Sequence, residues 1–508
     1  MSMLPVWPRP EQSTSGHRVV WISPHVPVLF SCANILQQED HYGCAHAEWI
    51  GTLRTEFQLL MFAHPFNPEK LHASHEDFEP SLAVQKSFVV RIDFNIVECL
   101  QIDEPGSDEG YTLRLTSNDE GAHVGCTISS YKGGFYALHT LRQLFYKHSR
   151  VSGSIMYTPY APFAIEDKPR FAHRGLNLDI ARNRISPDDV LRTIDGMAAT
   201  KLNMLHLHAT DSQSWPLEIP ALPELSRKGA YHTTQIWSSS DLENLQQYGK
   251  RKGVEVYLEI DMPGHTASIH HSFPELIVAF NRQPWHLYAA EPPAGQLKLN
   301  SEPVNAFLET LLNDVLPRVA KYTTYYHMGA DEINAKAYEL DPGVGSSSPN
   351  AIRPGLQALV DLIMGYVLEA GLTPIVWEEL LLDWDIELPK STIVQVWRSH
   401  ERVSSVVQRG YRALFGPSTH WYLDGGQGGW VDPNPDSPNS SVKPPFLDWC
   451  DPYKNWRQIC SYDPFEGVPS ELQHMLLGGE VHLWTELTDS VTLDGKLWPR
   501  AAAAAQTL

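Results

Sequence analysis

From Phe171 onward, apolar residues fall into two alternating kinds of run, one short and dense, the other spaced along one helical face. Arg174 to Asp179 reads as a buried strand. Ser186-Pro187-Asp188-Asp189 then supplies an N-cap, a first-turn proline and an acidic capping partner. Val190, Leu191, Ile194, Met197 and Ala198 follow at helical spacing. The same alternation predicts strands at Met204 to His208, Val254 to Ile260 and Tyr325 to Met328. Further strands are expected at Pro374 to Trp377, Ile393 to Trp397, Tyr411 to Phe415 and Met475 to Val481. Helices are expected near Leu242 to Arg251, along Val304 to Val315, and from Leu356 to Gly371. Eight strands with helices between most of them are the count of a (β/α)8 barrel, an α/β fold; a doubly wound open sheet is the alternative.

Residues 1–165 carry a different pattern and are expected to form a small α+β domain ahead of a barrel at 166–508. Val19 to Ile22 and Tyr111 to Leu115 read as strands, and Phe88, Val90, Ile92, Phe94 and Ile96 alternate with mostly polar neighbours. Gly133-Gly134-Phe135 opens a helix with Leu138, Leu141, Leu144 and Phe145 on one face. Tyr157 to Pro169, with prolines at 159, 162 and 169, reads as a linker.

A formal charge of −21 argues against nucleic acid and anionic membranes as partners. No run reaches the apolar length expected of a membrane span, and no signal peptide is visible. Asn439-Ser440-Ser441 is a glycosylation sequon and hints at a secretory route. Cys32, Cys44, Cys99, Cys126, Cys450 and Cys460 lack zinc-site spacing; Cys450 and Cys460 are either a local disulfide or two free thiols.

Chemistry gathers at the strand ends. Tyr325-Tyr326-His327-Met328-Gly329-Ala330-Asp331-Glu332 runs from a buried strand straight into two carboxylates, whose pKa values different surroundings could separate. Arg174 belongs to the first strand, His208 and Asp211 follow the second, and Asp261 and His265 the third. Trp377-Glu378-Glu379 ends the fifth, Trp397 the sixth, Trp421 to Asp424 follow the seventh, and Trp484-Thr485-Glu486 the eighth. Each has a plain structural explanation, such as a core Trp or an N-cap Asp, but together they describe an active-site face.

These segments, with Leu4 to Pro10 and the region to Tyr146, resemble the family 20 glycoside hydrolases, the β-N-acetylhexosaminidases, in their fungal and eukaryotic branch. The resemblance implies exo-acting, retaining removal of terminal β-linked N-acetylglucosamine or N-acetylgalactosamine from glycans or chitooligosaccharides, with the substrate's acetamido oxygen as nucleophile. It implies Glu332 as acid/base and Asp331 as the group that orients the acetamido N–H. It further implies Tyr422 on the acetamido carbonyl, and Trp377, Trp397 and Trp484 as pocket walls. Arg174, Asp424 and Glu486 would bind the outer hydroxyls, while Asp211, His265, Asp261 and His208 would support the acids. No cofactor or metal is implied, an extracellular or vacuolar/lysosomal location is, and a homodimer stays open.

The chain departs from the family pattern at Ala330 (usually Gly), Leu207 (Trp) and Ser212 (an acid), and lacks the Cys-Trp after the acid pair. A positive φ at Ala330 would cost about 1 kcal/mol, which leaves a weakened or sugar-binding relative as an alternative reading. A remoter alternative is a metal hydrolase that uses His206, His208, His265 and Asp331 as ligands.

Overall fold

The computed structural model describes residues 4–32, 43–63, 66–68, 79–97, 108–118, 121–431 and 446–508. Two compact units divide at Arg170/Phe171, with Ala198–Lys201 grouped with the first.

The first unit is a mixed sheet in the spatial order Gln12–Ile22, Met156–Asp167, Tyr111–Asn118, Gly121–Ile128, Val89–Ile96, Val28–Cys32. Helix Tyr131–Gln143, capped by the Ser130 side chain, packs on this sheet beside helix Gly43–Gln58. The segment expected as a linker is instead the 12-residue strand Met156–Asp167. Its buried positions include Met156, Tyr157, Phe163 and Ile165, so it packs as a central strand despite its prolines. The prolines are tolerated because the register with the first strand shifts between Ser15 and Val20, opposite residues 158–163.

The second unit closes an eight-stranded parallel barrel. In chain order the strands are His173–Asp179, Met204–His208, Glu255–Glu259, Tyr325–His327, Thr373–Trp377, Ile393–Val396, Arg412–Phe415 and Leu476–Leu483. Gly478 to Leu483 pair with His173 to Leu178 to close the ring. The capping box expected at Ser186 forms: Ser186 N donates to Asp189, and Asp189 N donates back to Ser186 Oγ at 3.2 Å. Ser238 and Asp241 form a second box at the start of helix Ser239–Arg251.

Met204, Tyr257, Ile375, Ile393 and Leu414 make an apolar cluster within the barrel. Alongside them the interior is polar, with His206, Glu259, His327, Gln395, Glu480 and His482 all fully buried. One outer helix, Pro349–Glu369, is long and apolar enough to cross a membrane by composition, which corrects the expectation that no run is. Its buried residues Ile352, Leu356, Leu359, Val360, Ile363 and Val367 define one helical stripe, and it contacts helix Glu302–Val319 and the fifth barrel strand. That is the packing of a core helix.

Candidate active site

The fourth strand ends at His327, and the chain then turns through two consecutive left-handed residues, Gly329 (φ +72) and Ala330 (φ +76). A Cβ on Gly329 would sit 1.8 Å from Asp261 Oδ1, so only glycine fits there. Asp261 Oδ1 also accepts the Ala330 N–H at 2.7 Å. Glu332 itself has φ +48, and His265 on the neighbouring loop has φ +52. Three of the nine left-handed non-glycine residues among the described residues, His265, Ala330 and Glu332, stand where the acids are presented, and such strain persists where surrounding structure holds it.

His265 joins the loops. Its Nδ1 lies 3.1 Å from Asp211 Oδ1, while its Nε2 lies 3.3 Å from Glu332 and 3.8 Å from Asp331. The Glu332 contact is an ion-pair approach without aligned hydrogen-bond geometry, as is common before substrate tightens a site. Burial disfavours a charge on His265, but Asp211 and Asp331 outweigh it and hold the imidazole well above its usual range. Burial pushes the Asp331 carboxyl up, with the Glu332 charge adding and His265 opposing.

A cavity of about 540 Å³ opens above the acids, lined by His265, Asp331, Glu332, Trp397, Tyr422, Asp424, Trp449, Trp484 and Glu486 among others. Trp397 stacks near Tyr422 (6.1 Å, 22°), and its indole N–H donates to Glu379 at 3.0 Å. Burial pushes Glu379 well above the carboxylate range, with Asp331 adding. Burial also pushes Asp424 up to about 7, and lifts Glu486 beside the anionic Glu291. Asp424 accepts the Trp484 backbone N–H at 3.4 Å.

Two expected residues do not line this cavity. Arg174 lies at the start of the first strand, paired with Gly479; its backbone N–H donates to Asn203 Oδ1 and its guanidinium to the Phe171 carbonyl. It is five residues upstream of Asp179, about 16 Å of strand from the site end. Trp377 is fully buried below the lining, in a cluster with Tyr422, Cys450 and Trp484, and its indole donates to Glu259 at 2.8 Å.

The arginine at the site is Arg182. It lies over the Trp484 ring at 5.0 Å and bridges Glu291 (2.7 Å), Asp211 (2.9 Å) and Asp179 (3.5 Å). Sequence reasoning missed it, although the loop after Asp179 was the place to look once the strand's end was known. Glu291 and Trp449 were also missed, because each lies on a long loop with no periodic signal, while Glu379 was placed at the end of the fifth strand but given no role. His208 is within reach of Asp211 (Nε2–Oδ2 2.8 Å), as its supporting assignment requires.

The proposed metal ligands do not converge. Among the described residues the clusters that could hold an ion are His206–Glu259–His327, Asp211–His265–Glu291 and Asp261–His265–Asp331. None joins the His206/His208 pair to His265 and Asp331, and both nitrogens of His206 and of His208 are committed to carboxylates. Cys450 and Cys460 are not joined by a disulfide; their Sγ atoms donate to the carbonyls of Ser418 and Ala503 respectively. Asn439 and the side chains of Cys32, Cys44 and Cys99 lie outside the described residues.

A parallel barrel whose strand ends gather paired acids, aromatic walls and an arginine in one pocket is built as a sugar hydrolase. Residues 171–508 match the catalytic domain of glycosyl hydrolase family 20, and residues 6–144 match a "beta-acetyl hexosaminidase like" domain. The chain belongs to glycosyl hydrolase family 20. A beta-hexosaminidase of Arthroderma benhamiae is 42% identical over 99% of this chain and 89% of its own. A chitooligosaccharidolytic beta-N-acetylglucosaminidase of Bombyx mori is 33% identical over 79% of this chain and 67% of its own. In fold, the chain is similar to a Vibrio harveyi exo-beta-N-acetylglucosaminidase, with a TM-score of 0.73 at 20% identity over all of this chain and 73% of that one.

Proposed function

We propose that this enzyme removes terminal β-linked N-acetylglucosamine or N-acetylgalactosamine from glycans or chitooligosaccharides with retention of configuration. The observation that carries the reading is the contact of His265 with both Asp331 and Glu332 at the aromatic-lined cavity. Adjacent acids on one loop cannot flank a glycosidic bond from opposite faces, as the two-carboxylate scheme requires. They can serve a reaction whose nucleophile belongs to the substrate.

In that reaction Glu332 protonates the leaving oxygen while the acetamido carbonyl oxygen attacks C1 and closes an oxazolinium ring. Asp331 accepts the acetamido N–H and balances the developing charge. Glu332, now ionised, takes a proton from water, which opens the ring from the face the aglycone left. Trp397, Trp484 and Tyr422 enclose the acetamido group, with Trp377 supporting them from below. Arg182, Asp424 and Glu486 face the outer hydroxyls and block a longer chain, which makes the enzyme exo-acting. Such an enzyme meets its substrate outside the cell or in a vacuolar or lysosomal space.

Release of nitrophenol from the β-N-acetylglucosaminide, with the β-glucoside as control, tests this. Turnover of the first alone, lost by on the order of 10²-fold or more in Glu332→Gln, is expected. Binding of N-acetylglucosamine without turnover would instead identify a binding relic strained at Ala330.

A further inference from the structure

A row of alternating carboxylates and imidazoles runs from the site into the barrel interior. His265 joins Glu332 to Asp211 at 3.3 and 3.1 Å. His208 joins Asp211 to Glu259 at 2.8 and 2.5 Å. His206 joins Glu259 to Glu480 at 2.9 and 3.0 Å. Glu480 ends the row against His173 Nε2 (2.6 Å), the Tyr257 hydroxyl (2.5 Å) and the Gln395 amide (2.8 Å). From Asp211 to Glu480 every member is fully buried.

The arrangement constrains where protons sit. A ring nitrogen and a carboxylate oxygen hydrogen-bonded at 2.5 to 3.1 Å, as in every link from Asp211 to Glu480 and between Asp211 and His265, need a proton between them, because otherwise two lone pairs meet. A neutral imidazole has one N–H, so a ring with a carboxyl group on each side is either an imidazolium or accepts a hydrogen bond from a carboxyl that keeps its proton. The first choice sets three imidazolium charges against four carboxylates. The single negative charge left over lies beside Arg182, 2.9 Å from Asp211, which also bridges Glu291 and Asp179.

The surrounding groups do not take these protons. Asp331 and Arg182 also face His265, and Asp179 and Arg182 face His208, so one guanidinium is shared among both rings, Asp179, Asp211 and Glu291. The His206 ring lies between those of Tyr257 (4.8 Å) and His327 (4.7 Å). His327 Nδ1 accepts the Gly329 N–H at 2.9 Å and lies 3.3 Å from Glu259, and burial holds its imidazole below the usual range despite that carboxylate. Burial holds His482 down to about 3 and therefore neutral. Burial also resists charge on His206 and His208, but Glu259 outweighs it in both and holds them up.

We propose that the support expected of His208 continues through Glu259, His206 and Glu480 as positioning residues for Glu332, holding His265 as imidazolium so that the barrel interior sets the protonation of the acid/base. The proposal rests on the reading of Glu332 given above. In a low-dielectric interior, protons on linked groups are coupled, so a change two links away reaches the terminal member.

Two measurements on the full chain test it. With ¹⁵N-histidine labelling, and assignment by single substitution, His206, His208 and His265 should each show both ring nitrogens protonated at pH 7. Neutral tautomers at two of the three overturn the proposal without any variant having to fold. In the pH profile of kcat/KM, His206→Gln removes a buried positive charge and should move the alkaline limb up by about half a unit or more. A limb that stays in place while kcat falls indicates packing alone and also overturns it. Activity retained in Glu332→Gln is a different failure: it removes the acid/base reading and leaves the histidine spectra as they are.

Discussion

The Ala330 N–H donates to Asp261 Oδ1 at 2.7 Å, and this bond holds an alanine at φ +76 immediately before the two acids. An L-residue in this region costs about 1–2 kcal/mol, while glycine loses about 0.5–1 kcal/mol more entropy on folding. The two nearly cancel in stability but not in geometry. Ala330→Gly should therefore leave Tm within a few degrees and raise kcat on the nitrophenyl substrate. An unchanged or lower kcat would show that the strained alanine presents the acids correctly.

The two arginines should separate cleanly. Arg182 meets three carboxylates and lies over Trp484, so Arg182→Lys loses the planar fork and should raise KM by on the order of tenfold. Arg174→Lys disturbs a buried contact to Phe171 and should cost about 1 kcal/mol in denaturant unfolding, with KM unchanged. Equal KM effects in both would reverse the assignment.

Glu379 fixes the Trp397 indole at 3.0 Å, beside the ring of Tyr422. Glu379→Leu should raise KM by on the order of three- to tenfold by freeing that wall, and Glu379→Gln, which keeps an acceptor, should recover most of it. Michaelis plots of the two variants decide this; a Gln variant as poor as Leu would point to charge rather than position.

Burial raises Asp424 to about 7, so the folded enzyme binds a proton there that the unfolded chain has lost above its ordinary carboxylate range. The stability this proton contributes is complete below about pH 4 and is lost as pH rises through about 7. Asp424→Asn should therefore flatten the fall in Tm between pH 4 and 7 relative to wild type. Parallel curves for the two proteins would mean that Asp424 is ionised throughout that range.

If the acetamido oxygen is the nucleophile, weakening it should slow the enzyme. An N-trifluoroacetyl substrate should show kcat/KM lower by on the order of tenfold or more, because its carbonyl is a poorer donor. Equal rates for the two substrates would place the nucleophile on the protein.

Periodicity and punctuation determined the barrel, its strand count and the acid pair, because inward and outward positions repeat locally and turn residues mark each strand's end. His265, Trp397 and Tyr422 could be placed after their strands in the same way, but the roles expected of them came from the family resemblance. Which end of a strand faces the site is not a local property. It decided that Arg182 and not Arg174 enters the pocket, and register shifts turned an apparent proline linker into the strand Met156–Asp167. The row from Glu332 to Glu480 joins residues separated by as many as 274 positions, and a charge is stable there only because its partners arrive from other strands. A single sequence records those residues one by one; only closure of the barrel brings them within hydrogen-bonding distance.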